Sequence, residues 1–239
     1  MFGRVVEAYR RSQKTKDIFW NKFVARPLAA VVLVPLQGTR ITPNQVTFAS
    51  LAVFLLAATL VVFAQGHRGL VLAILVLELS YVLDCVDGQL ARLRGTASPI
   101  GAHLDFLMDE LKAFLLVAAT GLRLWQERDQ TQWLVEALLA LCAVASGISL
   151  TGFIRRPEYV ATTGAAPPPA AGQYGTEERT VPSPTPSRSP MSLVIRAVES
   201  VGRFVIHYPS YLVYVAAINR LDLFLHAYLV VNAAHAVRT

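Results

Sequence analysis

At 239 residues, 54% hydrophobic and 16% charged, with a mean hydropathy of +0.46, the chain lacks the roughly 25% charged residues of an ordinary soluble domain. Its long apolar runs point instead to a membrane protein of several spans. At about 20 apolar residues per span, the length allows no more than about seven. The net charge of +6 then reads as orientation and attraction to a lipid surface, not as a nucleic-acid footprint.

The chain predicts an all-α, polytopic membrane fold of six transmembrane helices, preceded by an amphipathic interfacial helix. Residues 1–40 form the basic N-terminal segment. Arg4, Arg10, Arg11, Lys14, Lys16, Lys22 and Arg26 stand there against Glu7 and Asp17, interleaved with Phe19, Trp20, Phe23 and Val24. Such a helix lies in the bilayer surface with its aromatic residues at the interface. Its polar start argues against a cleavable signal peptide. Pro35 and Gly38 are expected to break the segment.

The membrane core is expected over residues 41–156, as four helices. Thr42 is a plausible N-cap with Pro43 at the first helical position, opening a span from about Val46 to Ala64. Gln65 to Gly69 reads as a turn. A second span runs from Leu70 to about Ala91, and a short polar link around Gly95 follows. Pro99 opens a third helix reaching about Trp125. The fourth covers about Trp133 to Ile154 and ends at Arg155-Arg156-Pro157. Residues 157–190, rich in Pro, Ala, Ser and Thr, predict a flexible linker. Residues 191–239 predict a short interfacial helix and two short apolar segments, about 204–218 and 221–237. Six spans place the basic N-terminus, Arg92/Arg94 and Arg155/Arg156 on one face, and the positive-inside rule makes that face cytoplasmic. A cell-membrane location follows, with the site described next at the cytoplasmic side. The two cysteines, Cys85 and Cys142, fall in apolar stretches and imply neither a disulfide framework nor a zinc site.

Four aspartates, Asp84, Asp87, Asp105 and Asp109, sit in or beside spans long enough to cross a bilayer. Acids at membrane depth are expensive and mark function by default. Asp84, Asp87, Gly88 and Ala91 share one helical face, and Gly101, Asp105 and Asp109 share a face of the next helix. A short link makes these helices antiparallel neighbours, so the carboxylates can converge. Converging acids repel one another unless protonated or bridged by a cation. All-oxygen ligands favour Mg2+, Mn2+ or Ca2+. Gly88, Ala91 and Gly101 leave room for a ligand near the backbone, and Arg92 suits a phosphate. The alternative is a set of solvated helix ends beside a polar loop. The spacing and the small residues between the acids favour a metal-dependent enzyme acting on a phosphate ester at the membrane surface.

The stretch reads D-x2-D-G-x2-A-R-x8-G-x3-D-x3-D, with eight fixed positions (Asp84, Asp87, Gly88, Ala91, Arg92, Gly101, Asp105, Asp109) over 26 residues. It resembles the signature of the CDP-alcohol phosphotransferases, and Thr42 to Thr47 resembles what precedes the first core helix in that family. The resemblance covers about residues 40–125. It implies transfer of a substituted phosphate from a CDP-linked donor to an alcohol, with release of CMP. Carried over by position, Asp84, Asp87, Asp105 and Asp109 would hold metal, Mg2+ or Mn2+ and two ions. Asp109 would also take the acceptor proton. Gly88, Ala91 and Arg92 would contact the CDP moiety, joined more weakly by Asn44, Thr47, Ser98 and Gly101. CDP-diacylglycerol is the favoured donor, and a homodimer is implied. In members with a phosphorylated acceptor, basic residues near Arg155 and Arg156 bind that phosphate; the commoner reading of such a pair is a positive-inside anchor. Lys112 and Glu110 flank Asp109 and could pair with each other or tune the cavity. Two other readings compete. A membrane prenyltransferase would place its two acidic motifs far apart, unlike these. A cation transporter would place its acids near the midplane and often show internal repeats, and the chain shows none.

Overall fold

The computed structural model describes residues 2–12, 19–164 and 204–238, and the described residues contain helices and no strand. They fall into two compact units, one ending at Leu116 and the other beginning at Val117. Three described helices are long and apolar enough to cross a membrane. The chain is an all-helical membrane protein.

In the first unit, α1 spans Phe2–Ser12. Arg4, Glu7, Arg10 and Arg11 are exposed, while Ala8 and Ser12, four residues apart, are buried. A π-helical turn, Asn21–Ala25, leads into α2, Arg26–Leu36. The basic N-terminal segment is thus divided into separate helices, and α1 and α2 both pack on α4 (Gly66–Arg94). Ala29 and Leu33 bury the inner face of α2 among Val82, Val86 and Leu90, and Ala30 is also fully buried. Helix α2 ends at Leu36, between Pro35 and Gly38, as expected; Pro35 itself lies inside the last turn, where a missing N–H removes only one of the final bonds. Lys14, Lys16 and Asp17 lie outside the described residues.

The first long helix, α3, spans Pro43–Phe63. Thr42 N–H donates to Gln45 Oε1 at 2.9 Å and Gln45 N–H donates to Thr42 Oγ1 at 3.3 Å. This reciprocal capping box fixes the start of the helix. Val46, Ser50, Phe54, Ala57 and Val61 form its buried face, and Phe48, Leu55, Leu56 and Phe63 stay exposed on the rest. An apolar surface on the outer side of a packed helix suits lipid, where burial of the inner face depends on close packing and on hydrogen bonds between helices. Two serines meet at the α3–α4 crossing. Ser80 Oγ donates to Ser50 O at 2.8 Å, and Ser50 Oγ lies 3.2 Å from Ser80 O. Both are fully buried, and their small side chains let the backbones approach.

Helix α4 begins at Gly66, inside the expected turn, so the link after α3 is shorter than the composition suggests. Gly95 ends α4 with φ 65°. Its N–H donates to Arg92 O, and Thr96 N–H to Ala91 O at 2.9 Å, closing the helix in a Schellman turn that needs a left-handed residue. Arg94 clasps the α2–α3 loop, donating to Leu36 O at 2.8 Å, Thr39 O at 2.9 Å and Ile41 O at 2.5 Å. Helix α5 spans Pro99–Arg128 and carries residues of both units.

In the second unit, α6 spans Gln132–Ile154. A Cβ on Gly121 would run into Ala137 Cβ and lie 3.2 Å from Trp133 O, so glycine permits the close approach of α5 and α6 here. The expected linker differs at its start: α7, Pro157–Thr163, is helical. Pro157 stands at N1, Glu158 lies in the first turn and Gly164 forms a left-handed C-cap, which are helix-promoting positions for these residues. The rest of the expected linker and the interfacial helix over 191–203 lie outside the described residues. The apolar segment 204–218 is interrupted. A 3-10 turn, Tyr208–Ser210, precedes α8, Leu212–Ala217, because Pro209 has no N–H with which to continue a helix. Helix α9, Leu221–Arg238, packs against α6. Asp222 joins Arg128 at 3.2 Å and Arg220 at 3.0 Å, and Arg128 also lies 4.5 Å over the Trp133 ring.

Candidate active site

The site grows from the polar end of α4. Asp84 side-chain exposure is 12%, and its Oδ1 accepts from Lys112 Nζ and from Ser50 Oγ at 3.3 Å. Helix α5 delivers Asp105 and Asp109 to the same place. One carboxylate oxygen from each of Asp84, Asp105 and Asp109 lies within 4.8 Å of the others. Asp109 is the open member, with its side chain 56% exposed. Lys112, one turn beyond Asp109 and only 4% exposed, also approaches Asp109 Oδ1 to 3.7 Å. Of the two roles open to Lys112, pairing with Glu110 gives way to this bridge between α4 and α5.

The fourth acid is held differently. Asp87, at 6% exposure, accepts from Thr47 Oγ1 at 2.5 Å and from the Gly88 backbone N–H. It stands outside the three-oxygen group yet still feels the charges of Asp84 and Asp105. Thr47 therefore serves the acid cluster from α3.

The small residues have specific neighbours. A Cβ on Gly88 would meet Arg92 Nη1 at 3.2 Å, so the guanidinium folds back across Gly88. Arg92 Nε donates to Ser12 O at 2.8 Å, tying this basic residue to the last turn of α1. At the start of α5, Ser98 Oγ accepts from Gly101 N–H at 3.1 Å. A Cβ on Gly101 would lie 3.3 Å from Ser98 Oγ and 3.8 Å from Asn44 Oδ1. Asn44, Ser98 and Gly101 are thus neighbours, although they come from α3, a loop and α5. Ala91 is half-buried on the same stretch of α4. Arg155 and Arg156 belong to the second unit.

Several residues here escape a sequence reading. Tyr81 lies one turn before Asp84, close enough to Asp84 and Asp109 to interact electrostatically with both, and its hydroxyl donates to Asn21 Oδ1 at 2.5 Å. Ser50 and Ser80 carry the signal of polar residues within apolar helices. Ser12 carries none, since its contribution to Arg92 is a backbone carbonyl.

The donor set suits a hard divalent cation. It is all oxygen, comes from two helices and leaves one side open at Asp109, as a site shared between protein and phosphate oxygens requires. A small-residue approach and a fixed guanidinium beside such acids suit a phosphate ester.

The family described as CDP-alcohol phosphatidyltransferase matches residues 40–176, a stretch that includes every residue of the cluster. The chain is 34% identical over 125 residues to the phosphatidylinositol phosphate synthase of Corynebacterium glutamicum, which covers 52% of this chain and 53% of that protein. It is 26% identical over 126 residues to the bifunctional IPC transferase and DIPP synthase of Aquifex aeolicus, covering 52% of this chain and 28% of that one. In both cases the matched stretch is well under two thirds of the relative's length. With the match running through the aspartate motif and the helices that bring its acids together, the chain belongs to the CDP-alcohol phosphatidyltransferase family.

Proposed function

We propose that the protein transfers a phosphatidyl group from CDP-diacylglycerol to the hydroxyl of an alcohol, releasing CMP, as a step in phospholipid synthesis. The observation that carries the reading is the convergence of Asp84, Asp105 and Asp109 beside a small-residue face and Arg92. Asp84, Asp105 and Asp109 would hold Mg2+ or Mn2+, with Asp87 available to a second ion. A divalent cation there supplies charge neutralisation for the diphosphate of the donor.

The chain's own groups account for the rest. Arg92, steadied by Ser12 O, offers a fixed guanidinium to a phosphate oxygen. Gly88, Ala91 and Gly101 admit the nucleotide close to the backbone, with Asn44, Thr47 and Ser98 around it. Asp109, the exposed acid, takes the proton of the acceptor hydroxyl, for which it must come within hydrogen-bond reach. The acceptor oxygen forms a bond to the phosphorus that bears the lipid, and the bond from that phosphorus to CMP breaks. CMP leaves with the bonding electrons. Arg155 and Arg156 would meet the phosphate of an acceptor that carries one, a reading favoured by the name of the Corynebacterium relative. The protein works as a homodimer in the cell membrane with this site facing the cytoplasm.

The test is a panel of alcohols, free and phosphorylated, supplied with CDP-diacylglycerol and Mg2+ to the purified full chain, with products identified by mass spectrometry. One acceptor giving a phosphatidyl product and an equal amount of CMP supports the reading. Transfer from a soluble CDP-alcohol alone would overturn the choice of donor.

A further inference from the structure

Lys112 is the cationic part of the acid cluster, and neither the motif nor the family match assigns it a role. Its ammonium is 4% exposed, bonded to Asp84 Oδ1 and 3.7 Å from Asp109 Oδ1. It therefore stands between an acid of α4 and an acid of α5, among the oxygens that a cation would use. Three carboxylates and one ammonium leave a formal charge of −2, which a single divalent cation cancels. Ser50 Oγ, the other donor to Asp84, is neutral and fully buried, and Asp87 is engaged by Thr47 and Gly88. Lys112 brings Asp84 a positive charge that Ser50 does not.

We infer that Lys112 is a positioning residue that stands in for one of two cations in the resting protein: the cluster takes a single divalent ion, and a second enters only when the ammonium leaves Asp84. The inference rests on the cluster being a metal site, as proposed above. It assigns Lys112 two effects. The ammonium holds Asp84 and Asp109 in register across α4 and α5 without metal, and it limits how many ions bind before substrate arrives. A pair of ions a few ångströms apart, sharing carboxylates, would otherwise claim the same oxygens.

The test is Mn2+ titration of the full-length protein in detergent, free of nucleotide, followed by electron paramagnetic resonance. Loss of the free-ion signal counts bound Mn2+, and spin coupling reports a close pair. Wild type is expected to bind a single uncoupled Mn2+. Lys112→Met, which keeps the length of the chain but not the charge, should bind a coupled pair. Lys112→Arg, which keeps the charge, should return to a single ion. Should Lys112→Met not fold, the wild-type count stands by itself: a coupled pair in the wild-type protein overturns the inference. So does a single ion in a folded Lys112→Met. Absence of any Mn2+ binding overturns both this inference and the metal site beneath it, whereas a failure of CMP release with the expected ion counts would strike only the proposed reaction.

Discussion

Thr47 Oγ1 lies 2.5 Å from Asp87 Oδ2, joining α3 to the aspartate motif on α4 where both residues are more than nine-tenths buried. Leaving a buried acceptor short of a donor costs about 1–3 kcal/mol, more for a charged group. Thr47→Val should therefore lower the melting temperature and weaken donor binding together. Thr47→Ser, which keeps the hydroxyl, should restore both. Denaturation in detergent and a donor KM measured on the three proteins decide the matter.

Gly88 and Arg92 make a second testable pair. A Cβ at Gly88 would sit 3.2 Å from Arg92 Nη1, and the end of a long side chain normally yields to such a contact. Arg92 has less freedom to yield because its Nε is bonded to Ser12 O. Gly88→Ala should raise the KM for the CDP donor about tenfold, equivalent to about 1.4 kcal/mol of lost binding, with little change in melting temperature. An unchanged KM would show that the guanidinium does not serve the donor.

Helix α1 enters the same argument from the other side. Deleting residues 2–12 removes the carbonyl that holds Arg92 and should also raise donor KM. Because both changes act on one guanidinium, combining the deletion with Gly88→Ala should add less than the sum of the separate effects. Full additivity in the double-mutant cycle would separate α1 from the site.

The sequence carries much of this because each device has a local signature. Thr42 and Pro43 mark the start of α3 by themselves, and the helix begins where they place it. The acids of α4 and α5 share helical faces by spacing alone, and Asp84, Asp105 and Asp109 do meet. Other features depend on partners distant in the chain. Nothing local tells that Lys112 reaches back 28 residues to Asp84 in preference to Glu110 nearby, or that Asn21 meets Tyr81. The division of the basic N-terminal segment is hidden for a similar reason. Its inner face is chosen by α4, which its own periodicity does not reveal. Pro209 carries a break signal that hydropathy averaging over 204–218 conceals.

Metal should also be visible in stability. A cation bound only by the folded protein at 100 times its Kd adds about 2.7 kcal/mol. Mn2+ or Mg2+ should therefore raise the melting temperature of protein stripped with chelator. Asp105→Asn should remove most of that rise, since it deletes one of three converging carboxylates. A full metal-induced rise in Asp105→Asn would place the ion elsewhere.

Gly121 tests packing away from the chemistry. Its Cβ position overlaps Ala137 Cβ, with Trp133 O at 3.2 Å. Overpacking of this kind costs about 1–3 kcal/mol, so Gly121→Val should melt earlier than wild type, while Gly152→Ala, where nothing lies within 4 Å, should not.

In the proposed reaction the proton acceptor is Asp109, the exposed acid of the cluster. The most direct measurement is CMP release from CDP-diacylglycerol by the purified full chain, with and without an alcohol acceptor and Mg2+, beside Asp109→Asn at saturating donor. CMP should form only when acceptor and cation are both present. Asp109→Asn should slow it by about 10²–10⁴-fold, the usual contribution of a positioned base, while still binding donor. CMP release by Asp109→Asn at the wild-type rate, or none from the wild-type protein with any alcohol, would contradict the account.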